Sequence, residues 1–334
     1  MNTESKMQFK NIFITGGAGY VGAVLVPRLL REGCRVTVLD LMIYGEEVLT
    51  PHPNLRVLKG DIRDQALLAE ALIGHDAVIH LACISNDPSF ELNPELGKSI
   101  NLDAFGPLVD VSRQSGVSRF IYASSSSVYG IKEEKDVHEE MSLEPLTDYS
   151  RFKADCERIL NEAATSDFVP VTIRPATVCG YSPRQRLDVV VNILTNLAYH
   201  KGEITVFGGQ QLRPNIHITD MVESYITVLN AEDRLVSGQI FNAGYENQPV
   251  RELAETVRDV VGDHVQLRTT PTDDNRSYHI SSEKIKRELG FEARHTIREA
   301  AQDLVQAFQA GDLPDSLDSE IYFNIRRMQS LKLV

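Results

Sequence analysis

The sequence contains no tryptophan and only four cysteines in 334 residues. These cysteines form no CxxC pair and lack zinc-ligand spacing; they are Cys34, Cys83, Cys156 and Cys179. Such isolated cysteines predict free thiols in a reducing compartment, and no metal site. The sequence also lacks an apolar run near the roughly 20 residues that a membrane span requires, and residues 1–10 lack the apolar core of a signal peptide. We therefore expect a cytoplasmic protein with no membrane partner.

Positive charge is also in short supply. Lysine and arginine together number 34, against 47 aspartate and glutamate residues, which gives a formal net charge of −13. Because an acidic protein repels polyphosphate at long range, this composition argues against a nucleic-acid partner. It does not exclude a small phosphorylated ligand, since local hydrogen-bond donors can outweigh the field of the whole chain.

Short apolar runs alternate with helical stretches through the first half of the chain. The predicted strands are Asn11–Thr15, Arg35–Asp40, Leu55–Lys59, Ala77–Leu81, Phe120–Ser124 and Val169–Arg174. The predicted helices are Gly19–Arg31, Asp64–Leu72, Pro94–Ser115 and Tyr149–Ala164. Two of them contain Pro27 and Pro107, which we expect to kink them because proline has no N–H to donate. This alternation predicts an α/β Rossmann fold, a doubly wound sheet of parallel strands.

The alternation loosens after about residue 176 into short strands and helices, which predicts a smaller mixed α/β lobe. We expect an NAD-binding Rossmann domain over residues 1–175 and a substrate lobe over 176–334, with an approximate boundary and with interleaving of the two left open. The sequence between them has no Gly/Ser linker. We therefore expect the lobe to pack directly on the first domain, with the functional site in the crevice.

A glycine-rich loop connects the first predicted strand to the first predicted helix. Gly16, Gly19 and Gly22 are spaced three apart, as a dinucleotide site requires for a tight turn, close backbone approach to a pyrophosphate, and close packing of helix on strand. Asp40 ends the second strand, where a carboxylate can accept hydrogen bonds from both ribose hydroxyls and repel a 2′-phosphate. Leu41 follows with no neighbouring Arg or Lys, so the sequence favours NAD over NADP.

Other cofactor contacts are predicted at strand ends. Asp61 is a candidate for the adenine amino group, although a carboxylate that only caps the strand end explains it as well. Small Ala82 suits close approach of the cofactor to the fourth strand. The candidates for cofactor binding read from these segments are Gly16, Gly19, Tyr20, Val21, Asp40, Asp61, Ile62, Leu81 and Ala82.

Tyr149 and Lys153 stand four residues apart in a predicted helix and therefore share one face of it. A nearby ammonium favours the phenolate and lowers the tyrosine pKa toward working pH. Ser124–Ser127 follows the fifth strand, where a hydroxyl can polarise the same substrate oxygen. Together these residues predict proton abstraction from a hydroxyl beside a nicotinamide.

The order of these motifs is typical of one family: the glycine loop, the serine-rich strand end, Val128-Tyr129-Gly130, the Tyr149/Lys153 pair, Arg174-Pro175 and residues 213–220. From about Asn11 to Glu299, the chain resembles the extended short-chain dehydrogenase/reductases of the nucleotide-sugar epimerase/dehydratase group. The resemblance implies that Ser125, Tyr149 and Lys153 are catalytic and that the last two also bind NAD.

The same resemblance implies that Asn101 orders a water or backbone near Lys153 and so belongs to the cofactor site. It also implies a homodimer formed through the helices near 94–115 and 149–164. One departure from the family is informative. Dehydratases of this group carry an Asp-Glu pair after the catalytic hydroxyl, whereas this chain has Ser126 and Ser127, which argues against dehydration.

The substrate side is less clear from the sequence. Family members carry an Arg followed by an Asn that touches the diphosphate, whereas the segment 174–178 of this chain has no such Asn. Their diphosphate-binding arginines correspond to Arg213 and Arg276. Guanidinium suits phosphate because it binds bidentately and keeps its charge, although a surface salt bridge also explains either arginine. Arg184 and Arg186 are further cleft candidates. The complete set of candidate substrate-binding residues is Asn86, Ser125, Ser127, Thr177, Arg186, Arg213 and Arg276.

We therefore expect an NAD-dependent sugar-nucleotide epimerase that acts through a transient keto sugar at carbon 4. The alternative is a 4-oxidase or reductase that releases the keto product, since the same three catalytic groups serve both reactions. A 4,6-dehydratase and a non-catalytic dinucleotide-binding protein are less favoured, because the carboxyl pair is missing and the Tyr149/Lys153 pair is present.

Overall fold

Seven parallel strands form the central sheet of the computed structural model, which describes residues 7–134, 136–272, 277 and 279–333. From one edge to the other the strands are Gln239–Ala243 (β10), Val169–Pro175 (β6), Arg119–Ala123 (β5), Ala77–His80 (β4), Asn11–Thr15 (β1), Arg35–Asp40 (β2) and Leu55–Lys59 (β3). Every neighbouring pair is parallel. The predicted Rossmann fold is confirmed.

Alternate residues of each central strand serve opposite faces of the sheet. Ile12 and Ile14 of β1 belong to one apolar cluster, and Phe13 between them belongs to the other. Because side chains alternate along a strand, a strand buried on both faces reads as a continuous apolar run. The helices that cover the first face are Gly22–Arg31 (α1) and Ile218–Asn230 (α8), and those on the second are Gln65–Ala71 (α2), Phe105–Gln114 (α5) and Asp148–Glu162 (α6).

The helix expected over Pro94–Ser115 consists of three pieces. Pro94–Lys98 (α4) is α-helical, Ser99–Asp103 is a π-helical turn, and α5 starts at Phe105. Pro107 therefore lies in the first turn of α5, where an N–H would have no partner within the helix and proline is tolerated. The helix type thus changes just before Pro107, and the kink stays a prediction. Pro27, in contrast, lies inside a continuous α1.

A second lobe packs beside the sheet and has its own apolar cluster. Its strands are Thr177–Cys179 (β7), Glu203–Phe207 (β8), Leu212–His217 (β9), Glu246–Pro249 (β11) and Gln266–Thr270 (β12). Its helices are Val190–Lys201 (α7), Val250–Val261 (α10) and Ile297–Ala310 (α12). β10 and α8 follow residue 176 in sequence but belong to the main sheet and its covering layer. The chain therefore passes between the two lobes more than once after residue 176. A domain boundary near that residue stays a prediction.

The remaining described elements are four short α-helices and two 3-10 helices. The α-helices are Asp87–Glu91 (α3), Asp233–Val236 (α9), Glu283–Leu289 (α11) and Asn324–Ser330 (α13), and the 3-10 helices are Ser126–Tyr129 and Glu320–Tyr322. Helix α13, the last of the α-helices, returns to the main domain, where it contacts α3. Across the described ranges, no helix has the length and apolar character that crossing a membrane demands.

Candidate functional site

A cleft of about 540 Å³ opens at the carboxyl ends of the central strands. Its walls include residues that follow β1, β2, β4, β5 and β6, together with residues of the second lobe. The strand order reverses between β1 and β4, and doubly wound sheets bind their ligands at such a reversal. The fold thus brings the separate sequence motifs to one place.

The glycine loop follows β1 along the floor of the cleft. Gly16 has a φ of +73°, and a Cβ there would lie 2.5 Å from the backbone N of Ala82. A Cβ on Gly22 would lie 2.4 Å from the carbonyl O of Gly17. Both positions therefore require glycine, since any side chain would collide with backbone. The loop forms a cradle of close backbone, as a bound pyrophosphate requires.

Tyr20 contributes to the site in a way that the sequence did not indicate. Its phenol O–H donates to the carbonyl of Gly180 at 2.6 Å and accepts from Asn192 Nδ2 at 2.9 Å. Burial raises its pKa far above the usual value. Tyr20 lines the cleft together with Gly19 and Val21, but its side chain ties the glycine loop to the second lobe.

Asp40 lies beside the glycine loop with its carboxylate already engaged. Oδ2 accepts from the backbone N of Ala18 at 3.0 Å, and Oδ1 accepts from that of Met42 at 2.8 Å. Burial raises its pKa, although these two hydrogen bonds and the nearby positive charge of Arg184 oppose the shift. A carboxylate has about four acceptor sites, so Asp40 can hold the loop and still accept from ribose hydroxyls.

Asp61 and Ile62 line the cleft beyond β3. Arg63 binds the Asp61 carboxylate with its Nη2 at 2.6 Å and its Nε at 3.0 Å, and Arg63 also donates to Ser99 Oγ at 3.1 Å. This pairing lowers the Asp61 pKa. Asp61 Oδ1 also accepts from the backbone N of Arg63 at 2.8 Å. The carboxylate therefore caps the end of β3 locally, and its contact with an adenine amino group stays a prediction.

Asn101 differs from its expected place. It is buried in the π-helical turn and is not among the residues that line the cleft. Its amide donates to the carbonyl of Ile84 at 2.9 Å and accepts from the backbone N of Ile84 at 2.8 Å. It thus fixes the loop that follows Leu81 and Ala82, both of which line the cleft, and it acts behind the cofactor candidates.

Ser125, Tyr149 and Lys153 all line this cleft. Ser125 Oγ lies 2.8 Å from Ser127 Oγ, and Tyr149 is the second residue of α6, whose first turn is capped by Thr147. Lys153 Nζ donates to the carbonyl of Ala123 at 2.6 Å. The predicted base, its cationic neighbour and the strand-end hydroxyl are therefore brought together.

The pKa of Tyr149 differs from the expectation. Burial raises it above the usual value, and the positive charge of Lys153 lowers it only in part, so the net direction is upward. The Lys153 Nζ lies 5.8 Å from the centre of the Tyr149 ring and closer, 4.9 Å, to that of Tyr122. The positive charge of Lys153 therefore offsets the effect of burial on the Tyr149 pKa only in part.

A buried charge pair behind the catalytic group escaped the sequence analysis. Glu157 binds Arg174 through two contacts, Nη2 to Oε2 at 2.6 Å and Nε to Oε1 at 3.0 Å. The hydroxyl of Ser124 also donates to Glu157. Glu157 follows Lys153 by one helical turn, so it lies on the same face of α6. This spacing was the feature of the sequence that could have indicated Glu157. The network anchors the serine-rich strand end to α6.

The substrate candidates come from both lobes: Asn86 and Ser127 follow β4 and β5 of the main sheet, and the other described candidates belong to the second lobe. Asn86, Ser127, Thr177, Arg186 and Arg213 line the cleft, whereas Arg276 lies outside the described residues. Arg186 Nε binds Asp188 Oδ1 at 2.5 Å. Its Nη2 is buried and has no hydrogen-bond partner among the residues that the structure describes. A buried cationic donor in this state favours an anionic ligand.

The side chain of Asn86 is partly committed to local structure. Asn86 Oδ1 accepts from the backbone N of Ser89 at 2.9 Å and caps α3. Asn86 also has a φ of +68° with a ψ of 156°, a backbone conformation that residues other than glycine rarely adopt. Its amide nitrogen is the part of the side chain left to meet a ligand.

Cleft residues not singled out from sequence include Tyr44, Cys83, Ser85, Asp188, Tyr225 and Asn324.

Known proteins resemble the chain over most of its length. The sequence model of the NAD dependent epimerase/dehydratase family matches residues 12–244. A UDP-glucose 4-epimerase of Lactobacillus helveticus is 26% identical over 308 residues, which cover 85% of this chain and 92% of that protein. The uncharacterized protein y4nG of Sinorhizobium fredii is 36% identical over 225 residues, which cover 67% of this chain but only 54% of that protein.

Among solved structures, the dTDP-glucose 4,6-dehydratase DesIV of Streptomyces venezuelae, determined with NAD bound, is similar with a TM-score of 0.81. The two chains are 25% identical, and the match covers 90% of this chain and 97% of DesIV. The similarity to both epimerases and dehydratases agrees with the cradle and the catalytic group found in the cleft.

Proposed function

The chain belongs to the NAD dependent epimerase/dehydratase family, and we propose that it is a sugar-nucleotide 4-epimerase that works through a transient keto sugar. The observation that carries this proposal is the meeting of Ser125, Tyr149 and Lys153 in one cleft with the glycine cradle. The cradle fits a dinucleotide, because the glycines let the loop pack against the backbone of Ala82 and Gly17 just before α1 begins, where a pyrophosphate binds.

In the proposed reaction the sugar is oxidised at carbon 4: the hydroxyl group loses its proton, and the carbon loses its hydrogen as a hydride. Tyr149 Oη accepts the proton of the sugar hydroxyl, Ser125 donates a hydrogen bond to the oxygen, and Lys153 stabilises the phenolate. When bound, NAD would supply the hydride acceptor. Its positively charged ring would also lower the Tyr149 pKa, in the same direction as the charge of Lys153. Turning of the keto sugar in its pocket, followed by return of the hydride and of the Tyr149 proton, gives the epimer.

The second lobe supplies the proposed diphosphate contacts. Arg186 has a buried Nη2 with no partner among the described residues, and Arg213 also lines the cleft. Thr177 and Asn86 are further polar residues of its lining. Two guanidinium groups in one cleft suit a nucleoside diphosphate whose sugar extends toward Tyr149.

The experiment that tests the proposal is incubation of the pure protein with NAD and a panel of UDP- and dTDP-linked hexoses. Product stereochemistry is read by NMR, and NADH by its absorbance. An epimerase gives a mixture of 4-epimers with no accumulation of NADH. One NADH per sugar, with release of a keto product, would instead favour the oxidase and overturn the proposal.

We expect no dehydration of any hexose nucleotide. Ser126 and Ser127 line the cleft where the dehydratases of this family carry a carboxyl pair. Other acidic residues on the cleft wall already accept hydrogen bonds, Asp87 from Thr147 and Asp188 from Arg186. Mass spectrometry should therefore detect no product lighter by one water. A 4-keto-6-deoxy sugar would mean that another group supplies the acid.

We expect NAD(H) to bind more tightly than NADP(H), on the order of 100-fold, because the buried Asp40 carboxylate would face a 2′-phosphate of like charge. Asp40→Ala should raise the affinity for NADP and so lower the ratio between the two affinities. The substitution removes the like charge and leaves the positive charge of Arg184 close by. Calorimetry with both cofactors measures the ratio.

Asp61→Ala is the matched control for Asp40→Ala. Asp61 lies on the proposed adenine side, which both cofactors share, so its loss should weaken the two alike. Equal affinities of the unaltered protein for NAD and NADP would refute the assignment of Asp40.

A further inference from the structure

Three residues from distant parts of the chain close one side of the cleft. Tyr44 follows β2, Arg184 follows β7, and Asn324 begins α13. All three line the cleft. We call this group the Arg184 clasp. None of its members belongs to the glycine loop or to the catalytic group.

Arg184 is the centre of the clasp. Its guanidinium carbon lies 3.5 Å from the centre of the Tyr44 ring, and its Nη2 donates to Asn324 Oδ1 at 2.7 Å. The residue is only 4% exposed. Its Nε nevertheless has no hydrogen-bond partner within the part of the chain that the structure describes. A buried charged donor left in that state is costly unless a ligand accepts from it.

Asn324 connects the clasp to both sides of the cleft. Its backbone N donates to Asp188 Oδ2 at 2.9 Å, and its Nδ2 donates to Ser85 Oγ at 2.9 Å. On the same helix, Arg327 Nε donates to the carbonyl of Ile43 at 2.5 Å. Helix α13 is therefore fastened to loops that follow β2, β4 and β7, and it holds them in one arrangement.

The clasp lies next to the proposed cofactor site. The charge of Arg184 acts on Asp40, which in turn holds the glycine loop through Ala18. Two residues before Arg184, the hydroxyl of Ser182 donates to the carbonyl of Tyr20 at 2.8 Å. The segment that carries Arg184 is therefore joined to the glycine loop, which forms the cradle proposed for the pyrophosphate.

We propose that Arg184 binds the pyrophosphate of the dinucleotide from the side opposite the glycine loop, and that Asn324 holds it there so that the cofactor stays bound between turnovers. This inference rests on the proposed function, in which NAD ends each cycle as it began and has no need to leave. Arg184 then belongs to the cofactor site although it lies in the sequence of the second lobe. Stacking on Tyr44 sets the plane of the guanidinium, which leaves Nε for the phosphate oxygen.

The test measures cofactor retention directly. The protein is loaded with NAD, passed through gel filtration, and exchanged against isotopically labelled NAD, with mass spectrometry of the released cofactor. The unaltered protein should retain NAD and exchange it slowly. Arg184→Ala and Asn324→Ala should exchange it roughly 10- to 100-fold faster, as expected for loss of a hydrogen bond to a charged group. Arg184→Ala should show the larger effect.

Arg326→Ala is the matched control, because Arg326 is exposed on the same helix and donates to the carbonyl of Leu317. It should exchange NAD as the unaltered protein does. Thermal unfolding identifies any variant that fails to fold, and Asn324→Ala decides the question if Arg184→Ala does not fold. Normal exchange in folded clasp variants would overturn this inference alone, whereas a protein that binds no NAD at all would overturn the proposed function as well.

Discussion

Replacing Tyr149 by Phe should lower the turnover of the sugar nucleotide by roughly 100- to 10,000-fold, the usual contribution of a general acid–base group. The substitution removes the ionisable oxygen but keeps the ring, which packs near Phe90 with a centroid distance of 6.5 Å. Binding of NAD should therefore survive. Steady-state kinetics on the substrate identified by the panel, together with calorimetry for NAD, measure the two effects separately.

Tyr199→Phe is the control for this substitution. Tyr199 stacks on Phe308 in a separate apolar cluster away from the cleft, with ring centroids 5.2 Å apart, and loss of its hydroxyl should leave turnover unchanged. If Tyr149 only packs at the start of α6, its Phe variant should also turn over at the rate of the unaltered protein. That result would remove the catalytic assignment.

The neighbours of Tyr149 should give smaller and distinguishable effects. Ser125→Ala removes one donor to the developing oxyanion and should raise the activation free energy by about 2.7–4 kcal/mol at most.

Lys153→Ala removes the positive charge that opposes the upward shift of the Tyr149 pKa. Because the phenolate is the active base, a still higher pKa moves the basic form to higher pH, and the pH optimum should shift upward. Binding of NAD should weaken too, since the family resemblance implies that Lys153 also binds NAD.

Gly16→Ala should lower the affinity for NAD on the order of 100-fold, or about 3 kcal/mol, because the added methyl group overfills a closed loop. The new Cβ would lie 2.5 Å from the backbone N of Ala82, and neither backbone segment can yield as a flexible side chain would. The loop must then move away from β4 and distort the cradle. Calorimetry with NAD on the folded variant measures the loss.

Gly33→Ala separates the collision from the cost of backbone strain. Gly33 has a φ of +77°, close to the +73° of Gly16, but a Cβ there would meet nothing within 4 Å. Both variants carry the strain of a non-glycine residue at positive φ, about 1 kcal/mol, yet only Gly16→Ala should lose NAD. Equal affinities in the two variants would contradict the description of the cradle.

The elements that sequence predicted well are those with a strong local pattern. The six strands of the first half and the glycine loop are set by continuous apolar runs and by spacing, so their positions agree with the structure within one residue or two. The boundaries moved where local chemistry was ambiguous. The first helix begins at Gly22 instead of Gly19, since the glycine loop continues for another turn before α1 starts.

The parts of the site that sequence did not predict depend on long-range contacts. Glu157 looks like any charged residue in a helix until β6 brings Arg174 beside it. Asn324 is separated from Arg184 by 140 residues, and no local pattern links them. Asp40 has no basic neighbour in the sequence, but folding brings the positive charge of Arg184 near it.

The most direct test of the central claim follows the hydrogen on carbon 4. The substrate identified by the panel is prepared with deuterium at that carbon and is incubated with the protein and unlabelled NAD, and the product is analysed by NMR. An epimerase that passes the hydride to its bound cofactor and takes it back should return the deuterium to carbon 4 of the epimer. Deuterium that appears in released NADH or is lost to solvent would contradict the account.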